Sequence, residues 1–183
     1  MNMQKWTDDE LAKYDRFKLE AGRGESRCEP LLLQAMRLRE TTIFLMLLDH
    51  FWEPNERFGN RNYTILMHCV ENYGGSLCMQ YLMQAGLKCG RPLEKRVDMS
   101  LVGIDGDTAL RIATRKGNIP YVSLLLGAKS LAPVDIKNKY SQTPFDIATD
   151  RSKGEQAERF IVIKDMLCEY TRKHIKSDKQ VVI

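Results

Sequence analysis

At 183 residues, with 43% apolar and 28% charged residues and a net charge of +4, the chain carries enough apolar material for one continuous core, which argues against wholesale disorder. Its charges are mixed along the chain, so the mild basicity does not by itself point to nucleic acid. Five cysteines, an odd number without regular spacing, fit a reducing intracellular compartment better than a disulfide framework.

Thr7-Asp8-Asp9-Glu10 has capping-box chemistry, and Leu11, Tyr14, Phe17 and Ala21 follow at the spacing of one helix face. Residues 1–24 are therefore expected to form an N-terminal capping helix over the open end of a larger stack. Asp8, Asp9, Glu10 and Lys13 interrupt any signal-peptide core there. The most apolar region, residues 31–52, contains Arg37, Arg39, Glu40 and Asp49, so it reads as a buried helix pair and not as a membrane span. Its first helix starts at Glu29-Pro30-Leu31, with proline where a missing N–H costs nothing.

Residues 62–70 (NYTILMHCV) open a second unit, in which Thr64 is placed to cap a helix. Gly74-Gly75 breaks that helix, and residues 79–86 supply another that stops at Gly86. The clearest copy is residues 106–113 (GDTALRIA), followed by Gly117 and by VSLLLGA at 122–128. A weaker one opens at residues 141–148 (SQTPFDIA). Thr143 lies 35 residues after Thr108, and Thr64 lies 44 before it. The excess falls in residues 88–102, expected to emerge as a longer loop on one face. Residues 150–158 read as an enlarged turn, residues 160–167 as part of a closing helix, and residues 171–183 as a basic, frayed C-terminal tail.

One such unit cannot bury its apolar side alone; stacking three or more gives them a shared core. The threonines satisfy first-turn N–H groups. Cys69, Ala113 and Ala148 sit where facing helices approach closely and only a small side chain fits. The predicted fold is all-α: a solenoid of about four helix–turn–helix repeats with short hairpin loops. Their expected bounds are 25–58, 59–100 with the 88–102 insertion, 103–137 and 138–170.

These residues resemble the ankyrin-repeat family, whose pattern is G-x-T-P-L-H-x-A-A-x-x-G followed by a helix ending L-L-x-x-G-A. The third unit keeps Gly106, Thr108, Leu110, Ala113, Gly117 and Gly127-Ala128; the fourth keeps Thr143, Pro144 and Ala148; the second keeps Thr64, Leu66 and Gly86. The usual histidine after the leucine is replaced by Met67, Arg111 and Asp146, so its hydrogen bond to the adjacent repeat is expected to be missing or altered. Within the family, about four irregular repeats with Asp105-Gly106-Asp107-Thr108 look like the IκB-type inhibitors of Rel/NF-κB factors, more specifically the truncated viral forms carried by parasitoid-wasp viruses. That resemblance implies sequestration of a Rel-type factor and suppression of immune signalling inside a host cell, in the cytoplasm or nucleus. The alternative is an adaptor or effector for an unrelated protein.

No motif orders the three histidines and five cysteines into a catalytic or metal site. G-x-S-x-G, P-loop and G-x-G-x-x-G patterns are absent. Cys69 falls on a small core position, which favours an inert thiol over a nucleophile paired with His68. His68, Cys69, Cys78 and Cys89 lack zinc-ligand spacing. The expectation is a non-enzymatic protein without cofactor, metal, small-molecule substrate, direct nucleic acid or membrane contact. Alignment to the family puts the partner-binding strip on the hairpin residues Asn60, Arg61, Tyr63, Ile104, Asp105, Asp107, Lys139, Tyr140 and Gln142. The inner-helix residues Glu71, Asn72, Arg115, Lys116, Asp150 and Arg151 complete it. Arg61, Tyr63, Arg115 and Tyr140 are the expected anchors, since arginine and tyrosine most often dominate interfaces.

Overall fold

The computed structural model describes residues 7–9, 11–13, 15, 31–50, 55–71, 76–88, 97–128, 132–154 and 156–178. Near the N-terminus residues 8, 9, 11–13 and 15 are helical. The Leu11 N–H donates to the Thr7 carbonyl at 3.0 Å, and Lys13 pairs with Asp9 at 2.7 Å. Glu10, Tyr14, Phe17 and Ala21, on which the predicted box and helix face depend, lie outside the described residues.

The repeats follow as helix pairs: α1 (Leu31–Arg37) with α2 (Thr41–His50), then α3 (Ile65–Glu71) with α4 (Ser76–Lys88). After these come α5 (Ala109–Arg115) with α6 (Ile119–Leu126), and α7 (Pro144–Arg151) with α8 (Ala157–Asp178). The inner helices stack in the order α1, α3, α5, α7. The outer helices α2, α4, α6 and α8 pack behind their own partners. Before α3, strands β1 (Arg57–Phe58) and β2 (Tyr63–Thr64) form an antiparallel hairpin, Arg57 opposite Thr64 and Phe58 opposite Tyr63.

Ala35, Cys69, Ala113 and Ala148 are all 0% exposed. They mark the same point in four successive inner helices, where only a small side chain leaves room for the neighbour. This brings the degenerate first repeat into register. Arg39, in the left-handed region at φ 60°, also matches Gly117 at φ 64° at the end of the corresponding inner helix. The leucine position behaves differently at the end of the stack. Leu66 and Leu110 are buried, whereas their equivalent Phe145 is 37% exposed, with the Lys164 ammonium 5.8 Å from its ring centre.

The three threonine caps of the repeats are made. Thr64, Thr108 and Thr143 accept from the backbone N–H groups of Met67, Arg111 and Asp146 at 3.4, 3.3 and 3.2 Å. In α7 the box closes, because the Asp146 carboxylate accepts from the Thr143 N–H at 2.8 Å and from its hydroxyl at 2.6 Å. The Thr143 hydroxyl and N–H hold the Asp146 carboxyl below its usual range, with Lys137 helping. A depressed carboxylate stabilises the fold above its unfolded pKa and loses that contribution as pH falls through the lower folded value. Asp146→Ala should therefore cost about 0.5–1 kcal/mol at neutral pH. In chemical melts the gap to the unaltered chain should close in acid; a gap independent of pH would contradict the assignment.

Three expectations need correction. Residues 97–102, the end of the predicted projecting loop, fold back onto the body: Met99 is buried, and the Asp98 N–H donates to the Asn55 side chain at 2.8 Å. Residues 89–96 lie outside the described residues. The predicted tail from residue 171 is not a separate segment either, since α8 continues without a break to Asp178. Its inner face is anchored by Leu167 and Tyr170, whose hydroxyl accepts from the Ala132 N–H at 2.7 Å. Asp150 and Arg151, placed in the enlarged turn, belong to α7.

Candidate functional site

The three hairpins share one geometry. An i to i+3 turn closes each, from Asn62 N–H to Gly59 O, Gly106 N–H to Gly103 O and Ser141 N–H to Asn138 O, at 2.9–3.0 Å. The last residue of each turn is left-handed: Asn62 at φ 54°, Gly106 at 74° and Ser141 at 60°. That leaves two residues at each tip: Asn60 and Arg61, Ile104 and Asp105, Lys139 and Tyr140. The tips are joined by main chain, because Ile104 N–H donates to Arg61 O at 2.9 Å and Lys139 N–H to Asp105 O at 3.2 Å. The result is a continuous ribbon beside the inner helices.

On this ribbon Ile104 and Tyr140 are each 67% exposed. Lys139 bonds the Asp105 carboxylate of the preceding tip and lies 5.2 Å from the centre of the Tyr140 ring. That ammonium, by hydrogen bond and then by charge, holds Asp105 below the usual carboxylate range; the charges of Arg61 and Arg115 add to the effect. Asn60 is exposed, and Gln142 is half-buried, its N–H bonded to the Asn138 side chain at 3.0 Å.

Behind the tips runs an ion network. The Glu71 carboxylate meets Arg61 at 3.1 Å, Arg115 at 3.9 Å and Lys116 at 3.9 Å, and Lys116 also bonds the Glu71 carbonyl. Asp107 meets Arg111 at 3.4 Å and Arg115 at 3.5 Å. Arg115 thus ties the last turn of α3 to the hairpin that precedes its own helix. Asp150 and Arg151 are exposed on α7, the latter over the Phe160 ring at 5.8 Å. Asn72 lies outside the described residues.

Two of the expected surface residues are not on the surface. Tyr63 is 2% exposed and Asp107 3%. Both directly precede a capping threonine, where the strand turns inward beneath the next hairpin. Tyr63 fills the space left by Gly103, at which a Cβ would stand 2.5 Å from the ring. Both residues are scaffold, and the anchors left at the surface are the exposed Arg61 and Tyr140 and the half-buried Arg115.

Arg111 is the residue that the sequence reading undervalued. It stands in place of the family's usual histidine and is 0% exposed. Its guanidinium bonds the carbonyls of Gly106 and Ile136, as well as Asp107. The inter-repeat hydrogen bond is therefore altered, not lost: a longer cationic side chain makes it. Its i, i+4 spacing from Asp107 was the available signal.

Cys69 gives its S–H to the Met36 sulfur at 3.3 Å, and burial raises its pKa well above the usual thiol range. Such a thiol is a poor nucleophile. No group of three or more metal-ligating side chains occurs among the described residues. A cleft of about 350 Å³ lies at the turn between α5 and α6, lined by Lys116, Gly117, Asn118, Ile119, Pro120 and Arg159. These residues supply no carboxylate, thiol or imidazole.

Residues 105–139 match the family model described as Ankyrin repeat. The helix pairs α1 to α8 have the ankyrin-repeat fold, in which stacked helix–turn–helix units share one core. Among solved structures the chain is similar to the ankyrin repeat domain of Bcl-3, a member of the IκB protein family, at 21% identity and a TM-score of 0.59. That match covers 76% of this chain and 51% of that one, so the chain spans about half the length of its Bcl-3 counterpart. It is also similar to a chain in the structure of the yeast ribosomal protein Rps3 with its chaperone Yar1, at 19% identity and a TM-score of 0.57, covering 73% of this chain and 91% of that one. No curated protein matches.

Proposed function

We propose that this chain is a non-catalytic binding protein that captures a partner polypeptide on its stacked hairpin tips and inner-helix face. In its sharper form the proposal is an IκB-like inhibitor that sequesters a Rel/NF-κB-type factor from DNA or the nucleus, acting inside a host cell to suppress immune signalling. The observation that carries the binding role is the pair Ile104 and Tyr140, large apolar groups 67% exposed on tips held in place by main-chain bonds. Apolar and aromatic side chains fixed in this way are typical contact centres. The IκB-like form is supported by the resemblance at Asp105-Gly106-Asp107-Thr108 and by the shared fold with Bcl-3. An adaptor or effector for an unrelated protein is the second reading. Its support is that the Rps3–Yar1 structure is matched almost as well.

A pull-down with a Rel homology domain tests the sharper form. The unaltered chain should retain the domain, and Ile104→Ser with Tyr140→Ser should weaken retention at least about tenfold, as expected for interface hot spots. No retention above a scrambled control removes the Rel assignment; loss of a different captured protein in the same variant keeps the adaptor. A deletion probing the 88–102 segment should spare residues 97–102, which carry the buried Met99.

A further inference from the structure

The network behind the tips is not electrically balanced. Four cations, Arg61, Arg111, Arg115 and Lys116, surround two carboxylates, Glu71 and Asp107. The next tip adds one pair, Lys139 with Asp105, which is neutral in sum. Arg111 is spent on carbonyls, and Lys116 is three-quarters or more buried against Glu71. The excess charge reaches solvent at Arg61, whose side chain is 56% exposed, and at Arg115, 35% exposed. Ile104 lies directly beside Arg61, because their tips share a hydrogen bond, and Tyr140 follows on the next tip.

We infer that the strip of Arg61, Arg115, Ile104 and Tyr140 takes an acidic segment of a partner polypeptide, with a carboxylate against the two guanidinium groups and an apolar side chain between Ile104 and Tyr140. The inference rests on the reading that the hairpin face is the binding face, and it adds the chemistry of what is bound. Guanidinium groups match carboxylates in geometry as well as in charge. A lysine- and arginine-rich segment, such as a nuclear-import signal, would bring like charge to Arg61 and Arg115. A Rel-type partner would therefore meet this strip through an acidic stretch. Nucleic acid fits less well: Ile104, Asp105 and Glu71 interrupt the cations, and a phosphate backbone carries a charge at about every 3.4 Å of strand.

Selection of phage-displayed random dodecapeptides on the full chain tests this. The enriched peptides should be net acidic with at least one large apolar residue. Arg61→Gln with Arg115→Gln should raise the Kd of a synthetic representative at least about tenfold. Lys153→Gln with Arg172→Gln, which removes the same net charge from exposed positions, should change it less than about twofold. Arg61→Gln alone, at an exposed tip, keeps the test readable if the double variant melts early. Equal losses in the two double variants, failure to enrich any peptide, or tighter binding of a labelled single-stranded oligonucleotide would overturn the inference. Neutral or basic peptides lost on Ile104→Ser with Tyr140→Ser would overturn the acidic class and leave the binding face standing. Peptides indifferent to every one of these substitutions would remove both.

Discussion

Arg111→Met should unfold this protein roughly 6–20 °C earlier than the unaltered chain. The estimate follows from a loss of about 3–5 kcal/mol for removing one member of a buried charged pair and a shift of about 2–4 °C per kcal/mol in a chain of this size. Methionine replaces the volume and the apolar stem, so the loss isolates the guanidinium. Without it the Gly106 and Ile136 carbonyls lose their bonds, and Asp107, 3% exposed, keeps only Arg115 at 3.5 Å. Desolvation lowers the Arg111 pKa while Asp107 opposes the change, and the guanidinium stays charged. The arrangement is also imperfect, since Nε has no acceptor. Adding Asp107→Leu should recover part of the loss, because the uncompensated carboxylate is then removed as well. A loss below about 1 kcal/mol in urea melts, typical of a surface change, would show that the pair holds nothing together.

Gly106→Ala should cost about 2–4 kcal/mol, the left-handed conformation contributing about 1–2 and the rest coming from displaced backbone. Asn62 and Ser141 hold the same conformation in the neighbouring hairpins without being glycine, so conformation alone is tolerable. The difference at Gly106 is proximity: a Cβ there would lie 3.0 Å from Asn138 Cα and 3.1 Å from Lys139 N. Main chain cannot rotate away as a side chain can, so the hairpins must part and the Lys139–Asp105 bond is strained. Asn62→Ala serves as the control and should cost less than Gly106→Ala in the same melts. Equal costs would mean that the close approach is irrelevant.

The solenoid was legible because its local chemistry recurs at a fixed register. Thr64, Thr108 and Thr143, with Cys69, Ala113 and Ala148 five residues on, located the inner helices, and Pro30-Leu31 located the first of them approximately. What the pattern could not convey was direction. Tyr63 and Asp107 are polar-tipped residues in a hairpin, a setting that normally reads as surface. Tyr63 is buried against Gly103, 40 residues away, and Asp107 against Arg111, whose own anchor at Ile136 lies 25 residues further on. The continuation of α8 past residue 171 was hidden for a similar reason. The exposed residues just past it, Arg172 and Lys173, are charged, while the anchoring contact at Tyr170 comes from the distant Ala132.

The tip-to-tip bonds from Ile104 to Arg61 and from Lys139 to Asp105 have a consequence for how this protein can change. They use only amide and carbonyl groups, so the placement of each tip is indifferent to which side chain it carries. Substitution at Asn60, Arg61, Ile104, Asp105, Lys139 and Tyr140 is thereby only weakly coupled to folding, through exposed pairs such as Arg61–Glu71 and Lys139–Asp105. A randomised library at those six positions would sample new specificities at little cost in yield, and the same freedom would let a natural lineage exchange one target for another while its architecture stood still.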